Sequence, residues 1–127
     1  MTRKSVLIID DDVDIREILA ETLLERGFEV ATAANGLEAL RVLRSMTVRP
    51  AVILLDLMMP IMDGYGFLAQ RRLDPALASI PLAIVTAGHG VDLDRLGDGL
   101  QIVAKPFDVP ELVGVLHTLG SEGAPSA

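Results

Sequence analysis

Val6-Leu7-Ile8-Ile9-Asp10-Asp11-Asp12 is the stretch that decides the fold. A short run of branched apolar side chains that acids bring to an end is typical of a strand buried on both faces of a parallel sheet. Asp12 lies where a helix N-cap is expected, and residues 13–26 form an amphipathic helix pattern that Gly27 ends. A buried strand followed at once by a helix indicates an α/β architecture.

Strand and helix patterns continue to alternate along the chain. Strand patterns cover residues 29–33, 51–57, 82–86 and 101–104. Helix patterns cover residues 37–46 and 109–119, and a further helix follows the loop 58–64 and runs to about residue 73. A short helix is expected near 91–96 in a glycine-rich segment. Five strands alternating with five helical segments predict an α/β fold with a doubly wound, five-stranded parallel sheet that is covered on both faces.

The composition indicates one domain with an aliphatic core. The chain has 127 residues, half of them apolar and only 3% aromatic, which is the size of a single domain. We expect the domain to span residues 4–119 and a flexible tail or the start of a linker to span 120–127. The net charge of −7 argues against a nucleic-acid surface. Cysteine, a transmembrane run and a signal-peptide pattern are all absent from the sequence, which favours a cytoplasmic location away from membranes.

Polar and charged side chains stand at four of the predicted strand ends. Asp10 and Asp11 follow the first strand, Asp56 ends the third, Thr86 ends the fourth and Lys105 follows the fifth. Parallel sheets bind ligands beyond the carboxyl ends of their strands, where the strand order reverses. We therefore expect a site at this edge, with Asp10, Asp11 and Asp56 close together if the first and third strands are neighbours.

This set of residues suits phosphoryl chemistry. Close carboxylates repel one another unless a cation lies among them. Oxygen ligands with few carboxylates and several waters suit Mg²⁺, with Mn²⁺ as an alternative. A carboxylate beside such a metal can act as a nucleophile toward phosphorus. Lys105 would supply a fixed positive charge and Thr86 a hydroxyl to the phosphoryl oxygens.

Single residues of this kind also have ordinary interpretations. An acid after a strand often caps the next helix, which is our interpretation of Asp12 and Asp63. Met58, Met59 and Met62 are interpreted as packing residues of the loop after the third strand. The joint pattern at four strand ends, rather than any one residue, indicates a functional site.

Four segments of the chain resemble the receiver domains of two-component response regulators. They are VLIIDD at 6–11, LLDLMMPIMDG at 54–64, IVTA at 84–87 and KPF at 105–107. The resemblance covers about residues 4–119, and the four motifs together are highly specific although each alone is weak. It implies the flavodoxin-like (βα)5 receiver fold with strand order 2-1-3-4-5.

The resemblance also implies roles for individual residues at the acidic site. Asp56 is expected to be the phosphoacceptor in a Mg²⁺-dependent reaction. Asp11 is expected to bind the metal directly, Asp10 largely through a water, and Met58 through its backbone carbonyl. A protein of this kind is a signalling phosphoacceptor that catalyses only its own phosphorylation and dephosphorylation.

Further implications concern the partner and the conformational switch. Thr86 resembles the switch hydroxyl of the family and Lys105 its phosphate-pairing lysine, followed by a cis peptide bond to Pro106. The implied donor is a phosphohistidine on a histidine kinase or a histidine phosphotransfer protein. The phosphorylated domain would change conformation and relay the signal to a downstream target that the sequence does not identify.

Two features depart from the family pattern. Receivers usually carry Tyr or Phe three residues before the lysine, where this chain has Ile102. The segment between Thr86 and Lys105 is short and glycine-rich, where the family usually has a full helix. Both departures concern the output surface rather than the phosphorylation chemistry.

Two other interpretations are open at the level of sequence. Asp10-Asp11-Asp12-Val13 after a strand also fits the nucleophile pattern of a small haloacid-dehalogenase-like phosphatase, with Asp10 as the essential residue. That family usually has a longer chain with further acids late in the sequence. The other interpretation is a pseudo-receiver that binds partners without being phosphorylated, against which the complete set of Asp56, Thr86 and Lys105 argues.

Overall fold

The computed structural model describes residues 4–87, 91–96 and 100–122, which form one parallel sheet with helices on both faces. The strands are β1 (Ser5–Ile9), β2 (Glu29–Ala33), β3 (Val52–Asp56), β4 (Leu82–Thr86) and β5 (Gln101–Ala104). Their order is β2-β1-β3-β4-β5, with every neighbouring pair parallel. The doubly wound fold and the strand order expected from the sequence are confirmed.

Helices connect these strands throughout the described residues. They are α1 (Val13–Glu25), α2 (Gly36–Ser45), α3 (Gly64–Leu73), α4 (Pro75–Ala78), α5 (Leu93–Leu96) and α6 (Val109–Glu122). The side chain of Asp12 caps α1 and that of Asp63 caps α3, so both predicted capping roles are confirmed. In the parts of the chain that the structure describes, no helix is long and apolar enough to cross a membrane.

The sequence pattern and the structure differ in the short and terminal helices. The pattern does not predict α4, although Asp74 caps it and Pro75 occupies its first turn. The short helix expected near 91–96 is α5, while residues 88–90 and 97–99 of that segment lie outside the described residues. The tail predicted from 120 is helical as far as Glu122, because Gly120 is buried beside Lys4, and residues 123–127 are outside the description.

Two aliphatic cores fix the strands on either face of the sheet. Val6 and Ile8 face one core with side chains of α1 and α6, whereas Leu7 and Ile9 face the other with side chains of α2 and α3. All four are essentially inaccessible to solvent. Burial on both faces explains why β1 is an unbroken apolar run, and it holds the carboxyl end of β1 rigidly beside β3.

The loop between β3 and α3 is held tightly against its neighbours. A side chain at Gly64 would come within 2.7 Å of the Leu57 Cα, so glycine is needed for this close approach. The Gly64 amide donates to the Leu57 carbonyl at 2.8 Å, and the Gly36 amide of α2 donates to the Met62 carbonyl at 2.9 Å. The loop that follows the last residue of β3 therefore has one defined path.

Candidate functional site

The three acids selected from the sequence converge at the carboxyl edge of the sheet. β1 and β3 are neighbours, so the residues after β1 lie beside the last residue of β3. Carboxylate oxygens of Asp10, Asp11 and Asp56 all lie within 4.8 Å of one another. Oxygen donors at this spacing can hold a hard divalent cation such as Mg²⁺.

Asp10 is buried and engaged at every polar atom. Its backbone amide donates to the Ala33 carbonyl at 3.1 Å, and its own carbonyl accepts from Arg16 Nη1 at 2.7 Å. Its Oδ1 accepts from the Asp12 amide at 2.9 Å, and its Oδ2 lies 3.6 Å from Lys105 Nζ. The residue is only 3% exposed, so its position is fixed by the protein before any ligand arrives.

Lys105 lies between two of the carboxylates. Its Nζ is 3.6 Å from Asp10 Oδ2 and 3.8 Å from Asp56 Oδ2. Both separations exceed those of a direct hydrogen bond, so the ammonium group offsets the negative charge without being fixed to either acid. Asp11, in contrast, is exposed. The Lys105–Pro106 peptide bond is cis, as the resemblance implied.

Burial raises the pKa of Asp56 above its ordinary value. The desolvation of its carboxylate is the largest cause, and the charge of Lys105 opposes it. Repulsion from Asp10 and Asp11 raises the pKa further, while a hydrogen bond from the Met58 amide at 3.4 Å lowers it. An ionised Asp56 is therefore costly in the metal-free domain, and a cation among the acids would relieve that cost.

We expect Asp56→Asn to stabilise the metal-free domain at neutral pH, by on the order of 1 kcal/mol. The pKa of Asp56 is raised in the folded state above its ordinary value of 3.8. In the pH window between 3.8 and the raised folded-state pKa, the folded state therefore binds more protons than the unfolded state. Stability then falls as pH rises through that window. The stability advantage of the variant should be largest above this window, should shrink as pH falls through it, and should be smallest below pH 3.8.

Thermal unfolding in EDTA at pH 7 and at acidic pH checks this expectation. Asp74→Asn is a control that removes one carboxylate from the cap of α4, where asparagine caps equally well. Equal melting temperatures of wild type and Asp56→Asn at both pH values would show that the buried charge has no energetic cost.

Thr86, the expected switch hydroxyl, and Ile102, which departs from the family pattern, lie on β4 and β5. Thr86 ends β4 and is 3% exposed, and its carbonyl accepts from the Lys105 amide at 2.7 Å. Ile102 lies on β5, where its side chain is 42% exposed. An aliphatic side chain at this position has neither a ring nor a polar tip, unlike the Tyr or Phe that receivers usually carry there.

The structure adds two residues that sequence reasoning missed. Arg16 donates to the Asp10 carbonyl, and the Tyr65 hydroxyl accepts from the Asp92 amide at 2.8 Å. Arg95 lies over the Tyr65 ring, with its guanidinium carbon 4.3 Å from the ring centroid. No signal in the sequence marks Arg16, because its partner is a backbone carbonyl.

The methionines of the loop after β3 divide into two kinds. Met59 and Met62 pack against the core beneath α2 and α3, as predicted. The side chain of Met58 is 69% exposed, so the packing role predicted for it is wrong. Its backbone amide is directed to Asp56 instead, at 3.4 Å from Oδ1, and this contact leaves the side chain at the surface.

Comparison with known sequences gives a consistent family. The family model described as the response regulator receiver domain matches residues 6–117. Response regulator Rre1 of Synechocystis is 37% identical over 121 residues, which are 91% of this chain and 51% of that protein. Transcriptional regulatory protein PrrA of Mycobacterium bovis is 39% identical over 125 residues, which are 94% and 51% of the two chains. The chain thus spans about half the length of the curated relatives that it matches.

Solved structures of similar chains have the same fold. Chemotaxis protein CheY4 of Vibrio cholerae has a TM-score of 0.82 at 30% identity, with 93% of this chain and 99% of that one covered. The receiver domain of a sensor histidine kinase from Pseudomonas aeruginosa, which has a magnesium ion coordinated in its active-site cleft, has a TM-score of 0.82 at 26% identity, with 94% and 99% covered. With the family model covering nearly all of the folded residues, this chain belongs to the response regulator receiver domain family of two-component signalling.

Proposed function

We propose that Asp56 accepts a phosphoryl group in a Mg²⁺-dependent reaction, with Mn²⁺ as an alternative metal. The observation that carries this proposal is the convergence of the Asp10, Asp11 and Asp56 oxygens within 4.8 Å, with Lys105 Nζ between two of them. Asp56 is assigned as the nucleophile because it ends the buried strand β3 at the position where the resemblance implies the phosphoacceptor. Burial raises its pKa, which disfavours the ionised, nucleophilic form in the metal-free domain. A carboxylate in this setting needs a cation to stay ionised at neutral pH.

The donor set fits the metal that the family implies. Asp11 and Asp56 would bind it through carboxylate oxygens, and Met58 through its backbone carbonyl. Asp10 would act largely through a water, as the resemblance implies, since it is buried and its Oδ1 already accepts from the Asp12 amide at 2.9 Å. When bound, Mg²⁺ supplies positive charge that neutralises the acids and the incoming phosphoryl oxygens together.

The residues of the chain then carry the transfer. An Asp56 carboxylate oxygen forms a bond to phosphorus while the phosphorus–nitrogen bond of a phosphohistidine breaks, and the released imidazole takes up a proton. Lys105 would balance charge on the phosphoryl oxygens, and the Thr86 hydroxyl would bind one of them. The partner is accordingly a histidine kinase or a histidine phosphotransfer protein, and the domain is a signalling phosphoacceptor that acts only on its own phosphorylation state.

A small phosphodonor tests the proposal without the partner. With acetyl phosphate and Mg²⁺, intact mass should show one added phosphoryl group per chain, and EDTA should prevent the addition. A protein that stays unmodified in Mg²⁺ would favour the pseudo-receiver. Turnover of a generic phosphate ester with Asp10 essential would favour the phosphatase, against which the burial of Asp10 argues.

The proposal extends to location and output. We propose a cytoplasmic location, since the chain has no cysteine to form the disulfides of exported domains. Its net charge of −7 argues that the signal passes to a protein partner or to another domain, and not through nucleic acid bound by this domain. The domain boundaries expected at residues 4 and 119 remain a proposal, with α6 described as far as Glu122.

The conformational response should be greatest in α5. This helix has four residues, too few to be stable alone, and α3 holds both of its ends. Tyr65 binds the Asp92 amide before it, and Arg72 Nη2 donates to the Arg95 and Leu96 carbonyls at 3.0 and 2.7 Å. A segment held by so few contacts responds readily to a phosphate bound nearby.

We therefore expect beryllofluoride, a mimic of aspartyl phosphate, to slow amide exchange most within residues 91–96, by about threefold to tenfold. Thr86→Ala should reduce this change and leave the adduct on Asp56. Thr118→Ala is the matched control, because that exposed hydroxyl binds only within α6. Equal exchange of residues 91–96 with and without beryllofluoride would contradict the expectation.

A further inference from the structure

We propose that Arg16 is a positioning residue that fixes the peptide unit between Asp10 and Asp11 for metal binding. The inference rests on the proposed function, since it concerns the same site. Arg16 Nη1 donates to the Asp10 carbonyl at 2.7 Å, in a partly buried setting. A hydrogen bond from a charged donor at this distance is among the stronger kinds in proteins.

The geometry of the peptide unit explains why this contact matters. The Asp10 carbonyl and the Asp11 amide belong to one planar group. A donor that fixes the carbonyl therefore fixes the orientation of the link between the two acids. Asp10 is held by other contacts as well, but Asp11 is exposed. The direction of the Asp11 side chain thus depends on the plane that Arg16 holds.

The Asp10 carbonyl lies beyond the last residue pair of β1 and β3, so a donor outside the sheet must satisfy it. Pairing of β1 with β3 ends at Ile9 and Leu55, one residue before Asp10. Asp10 is 3% exposed, so a carbonyl without a donor there would carry the cost of an unsatisfied buried acceptor. Without Arg16 the peptide would gain from turning toward water, and Asp11 would turn with it.

Helix α1 holds Arg16 in place for this contact. The Arg16 amide donates to the Asp12 carbonyl at 2.9 Å, and the Asp12 side chain accepts from the first-turn amides of Asp14 and Ile15. The residue thus starts from a capped, regular helical turn and reaches back to the loop that precedes it. The Arg16 guanidinium group thus links the first turn of α1 to the loop after β1 through its hydrogen bond to the Asp10 carbonyl.

A positioning role and a charge role predict opposite signs, which makes the inference testable. If Arg16 acted only through its positive charge, its removal would strengthen Mg²⁺ binding, because a repulsive charge would be lost. If it positions the ligands, its removal weakens Mg²⁺ binding. Loss of an outer-sphere partner commonly costs 10–100-fold in metal affinity, and we expect about tenfold here because the contact is to the backbone.

The experiment is calorimetric titration of the metal-free domain with MgCl₂, using wild type, Arg16→Ala, Arg16→Gln and Arg16→Lys. Alanine and glutamine, which is too short to reach the carbonyl, should each weaken Mg²⁺ binding by about tenfold. Lysine, which keeps a charged donor of similar reach, should recover part of the loss.

Arg26→Ala is the matched control, because it removes the same charge from the other end of α1. Melting temperatures in EDTA establish that each variant is folded. Unchanged or tighter Mg²⁺ binding in Arg16→Ala and Arg16→Gln would overturn the positioning role while the wild-type adduct remained. A wild-type domain that bound no Mg²⁺ would overturn the metal proposal itself, and this inference with it.

Discussion

Asp56→Asn is expected to abolish formation of the phosphoryl adduct, the largest effect of any single substitution in this domain. An amide oxygen cannot supply the carboxylate nucleophile, and the neighbouring acids are poorly placed to replace it. Asp10 is only 3% exposed, and its Oδ1 accepts from the Asp12 amide at 2.9 Å. Asp11 is exposed, and the proposed function assigns it to the metal. Intact mass after acetyl phosphate and Mg²⁺ should therefore show no gain for the variant.

Asp63→Asn is the matched control for this loss. Asp63 lies at the end of the loop between β3 and α3, and its side chain caps α3 by accepting from the Gly66 amide at 2.9 Å. Asparagine is an equally good cap, so this variant loses the same charge and keeps the fold. It should be labelled at the wild-type rate. Label that persists in Asp56→Asn, or that peptide mapping places on Asp10, would refute the assignment of Asp56.

The sequence predicted the architecture well because burial on both sheet faces leaves a direct trace in it. The run Val6-Leu7-Ile8-Ile9 has no polar position, and in the structure its residues alternate between two aliphatic cores. The convergence of the three acids could be predicted as well, because the carboxyl ends of the strands in a parallel sheet share one edge. Asp10, Asp11 and Asp56 therefore meet as soon as β1 and β3 are neighbours.

What the sequence did not predict depends on contacts with no periodic signal. The helix α4 has four residues, too few for a hydrophobic repeat to show. The exposure of Met58 follows from the direction of one backbone amide in the loop after β3. Arg16 reads as an ordinary surface charge of α1 until its contact with a backbone carbonyl is known. A contact between a side chain and a backbone carbonyl cannot be inferred from the sequence, because every residue type has the same carbonyl.

If Asp11 both repels its neighbouring acids and binds the metal, as proposed, it should destabilise the metal-free domain and stabilise the loaded one. Asp11→Asn removes one charge from a cluster whose oxygens lie within 4.8 Å of one another. In EDTA the variant should be as stable as wild type or more stable, by up to about 1–2 kcal/mol. In Mg²⁺ this advantage should shrink by about 1 kcal/mol at Mg²⁺ tenfold above the wild-type Kd, and the order should reverse where the advantage is smaller than that, because under the proposed function the variant loses a direct ligand and about tenfold in affinity.

Mass action converts that loss into a melting shift. At Mg²⁺ tenfold above the wild-type Kd, binding stabilises the wild type by about 1.4 kcal/mol, and a variant that binds tenfold more weakly by about 0.4 kcal/mol. Asp12→Asn, one residue further on, removes the same charge and keeps the cap of α1, so its Mg²⁺ shift should match that of wild type. Thermal unfolding of the three proteins over a MgCl₂ series gives the comparison. If Mg²⁺ raises all three melting temperatures equally, Asp11 does not bind the metal. A crossing of the Asp11→Asn and wild-type curves requires that one carboxylate both repel its neighbours and bind the ion.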